Sequence, residues 1–457
     1  MEIIFQNIPR KLRKKLQCSF SSVLNKKNFI IPACLDDIEN YPNNLHKSRL
    51  AYSRETCDLF LDFCKEFMAW EDISGVASLD TVFSAFADSV DEHFFTRNKS
   101  DFDFFISSWI EKINSKLHNY SFYFPVEGLM LKDISQEAFG DVSIVLFDKI
   151  LADRFFDDNK SDNHQWTEHL HSTLNKIFVG KTVLVVSVFG CRYLSELVAR
   201  EKANAVVSYF RFIFCVFHHD RVQEGLVKIS IENEWPKKNS DFFYVESNSI
   251  SLPNHRGAAP LLPFDIYSKN LSDLKKNGYF NELSGFIFYP YNNYEKAVKA
   301  AIYWIGEAQN DFKTDSAFVK YWISIESLLT TGFHSQQGIT KNLIDGVSIL
   351  IWYCGHEFSD RPNIRCLSKR INVLYDLRSK IVHKGDGVKI NQGDLSDICK
   401  YSSWLIMCFL WLRSNFNYTE CEQVRKLVKK LKAADFSEDF EIRTKSLLLA
   451  AQVNTTS

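Results

Sequence analysis

An arginine and a histidine stand five positions apart near the end of one apolar-striped segment. The segment reads LYDLRSKIVHKGDG from Leu374 to Gly387 and contains Arg378 and His383. A guanidinium offers a planar fork of donors for phosphate oxygens and stays charged, whereas an imidazole gains and loses a proton near neutral pH. Without carboxylates at metal-ligand spacing, these two groups fit metal-independent attack of an RNA 2′-hydroxyl on its own phosphodiester.

Further basic side chains surround this pair and are predicted to hold the polyanion. Residues 361–384 carry seven Lys and Arg against the single acid Asp376, on a chain whose net charge is −1. The whole-chain charge argues against general nucleic-acid coating, so the basic strip is local. The predicted RNA contacts are Arg365, Lys369, Arg370, Lys380 and Lys384.

The helix that carries the pair sets the geometry. Apolar spacing puts Ile371, Leu374, Tyr375, Arg378 and Val382 on one side, with Gly385 as a C-cap. The charge of Arg378 therefore leaves the edge of a buried face and must be paired or look into a cleft.

His383 is turned about 140° from Arg378 and lies about 7.5 Å further along an ideal helix. The two side chains could meet on one ligand if the last helical turn is distorted, if the arginine reaches along the helix, or if a second copy supplies one group. The spacing hints at a site in a dimer interface. A purely structural alternative stays open, because Arg and His near a helix C-terminus also stabilise the helix dipole and bind free carbonyls.

The surrounding elements predict an α+β N-terminal region followed by an all-α C-terminal bundle. A helical lead-in is expected over 1–100 and an α+β domain over 101–290, with strands in SFYFPVEGLML, DVSIVLFDK, KTVLVVSVF and GLVKISIENEW. A long helix from Tyr193, with possible continuation into a strand, lies between the last two. Over 291–457 the 3.6-residue period predicts helices at 295–309, 315–331, 340–354, 365–383, 394–414 and 420–433, and another from Asp439. Short connections predict a bundle of antiparallel neighbours.

Composition favours a folded, cytoplasmic protein of several parts. The 457 residues exceed what one hydrophobic core holds, and 46% of them are apolar. The 11 cysteines lie scattered without a Cys-x-x-Cys pair, mostly in apolar runs, as expected for reduced thiols. The N-terminus does not read as a secretory signal, and the longest apolar runs fall short of the ~20 residues of a spanning helix. We expect no membrane insertion.

Two histidine clusters offer weaker alternatives. His164, His169 and His171 invite a metal site, but no Cys or carboxylate set completes it, and a solvated helix is the usual outcome. His218, His219 and Asp220 lack an identifiable nucleophile. Gly-rich phosphate loops are missing from the sequence, so no ATP or NAD cofactor is predicted, and no metal is predicted because the ligand set is incomplete.

The run RSKIVH, preceded by INVLYDL and followed by KG, resembles the signature of HEPN domains, particularly the Apea-like HEPN branch. FVKYWISIESLLTTG resembles the characteristic upstream helix of that branch, with Glu326 at its acidic position. The resemblance covers about residues 290–415. In active members the residue after the arginine is usually Asn, Asp or His, whereas this chain has Ser379, which can still form hydrogen bonds.

The resemblance implies an all-α bundle that dimerises and, in many members, a metal-independent endoribonuclease with roles as a toxin or in abortive defence against phage. Arg378 would then orient or neutralise the phosphate, His383 would act as the acid and base, and Glu326 would support one of them. The N-terminal region would sense a phage or regulatory trigger and restrain the activity. The alternative is a non-catalytic HEPN-like module that binds RNA or a protein, with Ser379 marking lost activity.

Overall fold

The structure, a computed structural model, describes residues 3–24, 54–95, 102–158, 172, 175, 178–218, 229–231, 244–246, 249–251, 264–276, 279–311, 313–330, 339–353, 363–384 and 388–433. The chain divides into two compact units. One contains Met1–Phe122 and Val186–Glu201, and the other contains Tyr123–Val185 and Lys202–Ser457. These divisions fall inside two long strands and one long helix. They group the chain differently from the three parts predicted from changes in sequence texture.

The first unit is built mainly from helices. A 3₁₀ turn at Phe5–Asn7 precedes α1 (Arg10–Val23), α2 (Arg54–Met68), α3 (Glu71–Ser74), α4 (Leu79–Phe95) and α5 (Phe102–Asn114). Their apolar faces meet in an aromatic core, where Phe67 stacks on Trp109 with ring centroids 4.2 Å apart. The buried indole of Trp109 donates to the carbonyl of Val82 at 3.0 Å, so the large ring costs no unpaired polar group.

A small sheet lies in the N-terminal half of the chain. Its strands are β1 (His118–Glu127), β3 (Gln136–Phe139), β4 (Val142–Phe147), β5 (Lys181–Gly190) and β6 (Ser230–Ile231), in the order β3-β4-β5-β1-β6. β3 pairs with β4, and β1 with β6, in antiparallel fashion. Two of the four predicted strands, DVSIVLFDK and KTVLVVSVF, are confirmed by β4 and β5, because β-branched and aromatic residues suit a half-buried pleated surface. The prediction of a third, SFYFPVEGLML, is wrong in its length, because a turn at Gly128, with φ of 74°, separates β1 from a short strand at Leu129–Leu131 in another sheet. The fourth is described as a strand only at Ser230–Ile231.

Two further strand pairs lie outside this sheet, and neither pairing was predicted. β2 (Leu129–Leu131) runs parallel to β9 (Phe264–Ile266), and β7 (Tyr244–Glu246) forms an antiparallel pair with β8 (Ser249–Ser251). The helices whose bounds the structure gives in this part of the chain are α6 (Lys149–Asp158), α7 (Arg192–His218), α8 (Ser268–Lys276) and α9 (Tyr279–Phe286). α7 is helical over all 27 residues. Its predicted continuation into a strand is wrong, because the FIFC run is apolar through burial on a helix, a case that periodicity alone cannot separate from a strand.

The C-terminal part is helical. Its described helices are α10 (Asn293–Asn310), α11 (Thr314–Leu329), α12 (Ile339–Tyr353), α13 (Ile364–Lys384), α14 (Gln392–Phe416) and α15 (Cys421–Ala433). All six predicted helices are confirmed, with ends within two residues of the prediction. The predicted segment from Asp439 and the predicted cap Gly385 lie outside the described residues.

Helix α14 is the centre of this bundle. Asn391 caps it by accepting from the Asp394 amide at 2.8 Å, and Asn417 ends it in the left-handed conformation. Most of its length from Asp394 to Leu412 is buried, so its apolar residues extend around the helix rather than along one stripe. Among the helices within the described ranges, none is both long and apolar enough to cross a bilayer.

Candidate functional site

Helix α13 has one face toward the bundle and one toward solvent. Ile371 and Leu374 are buried in the bundle. An exposed stripe consists of Arg365, Lys369, Asn372, Asp376, Lys380 and His383. At about 100° per residue, these six positions fall within about 80° of one another. Three of the predicted RNA contacts and the predicted acid/base therefore share one solvent-facing surface.

Arg378 leaves the opposite side of the helix and pairs with Glu326. Its Nη2 lies 2.9 Å from Oε1 of Glu326, and the two side chains are 21% and 24% exposed. The contact joins α13 to α11, which are the two helices that carry the resemblance. Glu326 thus lies against the arginine of the motif rather than against its histidine.

An aromatic wall orients Arg378. Its guanidinium carbon lies 6.0 Å from the centroid of the Tyr375 ring, and Trp322 meets that ring edge-on at 5.4 Å. The Thr340 hydroxyl donates to the Tyr375 hydroxyl at 3.0 Å, which ties α12 to the same cluster. Sequence reasoning missed Trp322 as a neighbour of the site. The available signal was its spacing of four residues from Glu326, which puts both side chains on one side of α11.

The surroundings of the ion pair disfavour the ionised form of Glu326. Burial raises the pKa of Glu326, and the nearby charge and hydrogen bond of Arg378 offset this only in part. Nε of Arg378 is itself buried and has no hydrogen-bond partner within the described part of the chain. This N–H is shielded from solvent, so its lack of an acceptor does not by itself offer a donor to a ligand.

His383 stands apart from this pair. It is exposed, and it makes no hydrogen bond or ion pair with any residue that the structure describes. The half-buried Ser379 likewise has no side-chain hydrogen bond to the described residues. Because α13 stays helical through Lys384, no distorted last turn brings His383 round. A single chain does not bring Arg378 and His383 together.

The predicted RNA contacts differ in their surroundings. Arg370 donates from Nε to Asp397 at 2.7 Å and lies 2.8 Å from Asp394, so two acids of α14 hold it inside the bundle. Arg365, Lys369 and Lys380 are exposed and form no ion pair with described residues. The side chain of Lys384 is not among those described.

Most residues of the two histidine clusters lie outside the part of the chain that the structure describes, so these alternatives stay untested. His164, His169 and His171 lie outside the described residues, as do His219 and Asp220. His218 packs against Phe214, with ring centroids 5.2 Å apart. Within the described ranges, no group of three His, Cys, Asp or Glu side chains is placed to hold a metal ion.

A groove that the sequence did not reveal separates α12 from α13. Its volume is about 780 Å³, and the side chains that line it include Lys341, Ile344, Ser368, Lys369, Asn372 and Val373. Lys369 and Asn372 also belong to the exposed stripe. The groove therefore opens onto the surface that carries His383.

No protein-family model, no curated protein and no solved structure matches this chain.

Proposed function

We propose that this protein is a metal-independent endoribonuclease of the HEPN type, acting as a homodimer. The observation that carries the proposal is the ion pair of Arg378 with Glu326 at 2.9 Å, which links the motif helix to the upstream helix. A guanidinium held at the edge of a buried face is suited to fix a phosphate. The exposed stripe on the other side of α13 supplies further positive charge around His383, which in a dimer would face the partner's Arg378.

The proposed reaction needs no external co-reactant. The 2′-oxygen of the RNA forms a bond to phosphorus and the bond to the 5′-oxygen breaks, which leaves a 2′,3′-cyclic phosphate and a 5′-hydroxyl. His383 takes the proton of the 2′-hydroxyl or returns one to the leaving 5′-oxygen. Arg378 neutralises the charge that develops on the phosphate, Glu326 orients Arg378, and Ser379 donates a hydrogen bond.

A second copy of the chain completes the proposed site. Arg378 and His383 leave α13 about 140° apart, and Arg378 is already directed toward α11 by Glu326. In a two-fold dimer, Arg378 of one protomer meets His383 of its partner on the same phosphate.

In its biological setting we propose a toxin-like or anti-phage effector that works in the cytoplasm. The N-terminal region would sense a phage or regulatory trigger and hold the nuclease in check. Production of the wild-type chain together with its trigger is expected to slow growth and degrade cellular RNA, whereas the His383→Ala chain is expected to be harmless.

The first test is cleavage of purified total RNA in the presence of EDTA, followed by analysis of the product ends. Wild type should produce fragments with 2′,3′-cyclic phosphates, and Arg378→Ala and His383→Ala should each lower the rate by about 10²- to 10⁴-fold. A Lys426→Ala/Lys429→Ala chain serves as a control for general loss of positive charge. Cleavage that persists in His383→Ala, with contaminants excluded, would rule out the assigned mechanism.

Mixing the two inactive variants tests the shared site. After subunit exchange at equal concentration, about half of the dimers are mixed and each keeps one intact site, so about a quarter of wild-type activity should return. No recovery of activity, despite demonstrated subunit exchange, would contradict the shared site. Arg378 and His383 would then act on one phosphate within a single chain, or they would not act on a common phosphate.

A non-catalytic RNA- or protein-binding module is the second candidate. The observation that favours it is the contact that already occupies Arg378, together with Ser379 at the position that is usually Asn, Asp or His in active members. RNA binding by a wild-type chain that cleaves nothing, even with its trigger present, would support this candidate.

A further inference from the structure

The groove between α12 and α13 combines an apolar floor with polar walls. Ile344 is 8% exposed and forms the floor, and Val373, 48% exposed, presents a second apolar surface to the opening. Ser368 adds a hydroxyl, and Asn372 adds an amide whose Nδ2 donates to Asp376 at 3.4 Å and whose oxygen can accept. A ligand with a flat apolar face and a polar edge matches this lining.

The mouth of the groove is positively charged. Lys341 and Lys369 line it, and Arg365 lies one helical turn before Lys369. None of these three forms an ion pair with a described residue, whereas the nearby Lys432 is paired with Asp345. The exposed stripe contains one acid, Asp376, so positive charge is in excess at the groove. The groove is therefore suited to an anion.

We propose that this groove binds an unpaired segment of RNA, with one base against Ile344 and Val373 and the flanking phosphates on Lys341 and Lys369. The inference rests on the proposed function in taking RNA as the substrate, and it names single-stranded RNA as the substrate class. A duplex hides its base faces in the stack, whereas an unpaired base offers both its face and its edge to such a groove. Asn372 and Ser368 meet the base edge.

The position of the groove relative to His383 gives it a part in the reaction. Val373 and His383 are ten residues apart on α13, which is about 15 Å along a helix. A strand held in the groove continues over Lys380 and reaches His383 on the same exposed stripe. The bond cleaved then lies at a fixed distance from the bound base, and unpaired regions are cut in preference to duplex.

The test measures binding to the full-length His383→Ala chain, which leaves the RNA intact. The probes are a fluorescent 12-nucleotide single strand, its duplex form, and the same strand with one central abasic position, each followed by anisotropy at several salt concentrations. The single strand should bind at least about tenfold tighter than the duplex. The abasic strand should bind several-fold more weakly than the intact strand.

Two kinds of groove variant separate base contact from charge. Val373→Ser and Asn372→Ala, both at exposed positions, should weaken single-strand binding about fivefold without changing its salt dependence. Lys369→Gln should lower the slope of log affinity against log salt by about one. The matched control Lys429→Gln, exposed on α15, should stay within about twofold of the parent in affinity.

Three results would overturn the inference: equal affinity for single strand and duplex, full affinity for the abasic strand, or unchanged binding in both Val373→Ser and Asn372→Ala. A fourth is binding of a poly-glutamate peptide that the groove variants weaken as much as RNA binding, which would mark an acidic-protein surface. Cleavage assays on the chain with an intact His383 keep the two proposals distinct. A nuclease with neutral groove variants refutes the groove alone, whereas groove-dependent binding by a chain that never cleaves refutes the nuclease alone.

Discussion

Three half-buried arginines of the helical bundle are held in two different ways. Arg370 lies between Asp394 and Asp397, and Arg413 lies between Glu282 and Glu295 while its guanidinium packs over Phe286 at 4.8 Å. Arg378 has Glu326 as its one carboxylate among the described residues. The side chains of Arg378 and Arg413 are similarly shielded, at 21% and 26% exposure, so burial does not explain the difference.

The carboxylates that pair with Arg413 and Arg378 have pKa values shifted in opposite directions. Burial opposes ionisation of Glu295, but the hydrogen bond and charge of Arg413, together with hydrogen bonds from the backbone amides of Tyr291 and Asn292, outweigh it and lower the pKa of Glu295. Burial dominates at Glu326 and raises its pKa despite Arg378. Nε has no hydrogen-bond partner among the described residues in either arginine, so the contrast lies in the acids. The clusters at Arg370 and Arg413 join helices through two acids each, whereas Arg378 has one acid and is the arginine to which the proposed function assigns the phosphate.

The largest expected effect is on activity. Arg378→Lys should lower the rate of RNA cleavage by about 10²-fold, because an ammonium cannot reproduce the planar fork. Arg413→Lys should change the rate by no more than a few-fold, since Arg413 touches no reacting group. Initial rates on the 12-nucleotide strand in EDTA measure both. Equal losses in the two variants would remove the distinction between the arginines.

Substitution of Arg413 should lower the free energy of unfolding more than substitution of Arg378, the reverse of their order in activity. Arg413→Met leaves Glu295, which is 5% exposed, and Glu282 without their cation, and a buried charge left uncompensated costs about 3–5 kcal/mol. Arg378→Met should cost about 1–2 kcal/mol, because one acid is left and it can take up a proton. Urea unfolding at neutral pH gives both free energies. A larger loss in Arg378→Met would contradict the assignment of Arg413 as the structural arginine.

The pH dependence of stability should differ in sign between Glu326 and Glu295. The folded chain holds the Glu326 proton more tightly than the unfolded chain, so stability falls as pH rises through the range above the ordinary glutamate value of 4.5. Glu326→Gln removes this loss and should gain stability relative to wild type between about pH 4 and pH 7.

Glu295 is the matched control. Its lowered pKa contributes stability above the ordinary value, and this is lost as pH falls. Glu295→Gln should therefore be least stable relative to wild type near pH 7, and the gap should narrow on acidification. Unfolding free energies measured from pH 3.5 to 7 give both curves, and slopes of the same sign would show that the two acids do not differ as described.

The smallest effect concerns a helix cap that serves one of the two-acid clusters. The Asn391 side chain accepts from the amide of Asp394 at 2.8 Å and so orients an acid that holds Arg370. Asn391→Ala should cost about 1 kcal/mol of unfolding free energy, while Asn391→Asp should cost much less because aspartate also caps. Equal losses in both variants would mean that the cap does not support the cluster.

Sequence periodicity predicted the bundle because each of its helices has a local signal. It could not predict the partners of Arg370, because Asp394 and Asp397 come from the next helix and any nearby acid would have been an equal candidate. The pattern also puts Val382 on the side of Ile371, yet Val382 is 49% exposed. The apolar side of α13 therefore extends beyond the part of the helix that the bundle covers.

Elements fixed by distant partners were beyond the reach of local patterns. β2 pairs in parallel with β9 through residues such as Leu129 and Phe264, which are far apart in the chain, and three-residue strands carry almost no period of their own. The lining of the groove likewise joins Lys341 to Lys369 across two helices. The contact of Glu326 with Arg378 was expected only through the family resemblance, and its catalytic role stays a prediction.

The central position of α14 has a consequence for how the bundle opens. Amide protons exchange with solvent when their hydrogen bonds break, and a helix enclosed on its sides cannot break them by local fraying. The amides from Ile398 to Leu412, mostly buried residues, should therefore exchange only when the whole cooperative unit opens. The exposed stripe of α13 lies at the surface of the same bundle. Its side chains can therefore form and break contacts while the hydrogen bonds of α14 stay intact.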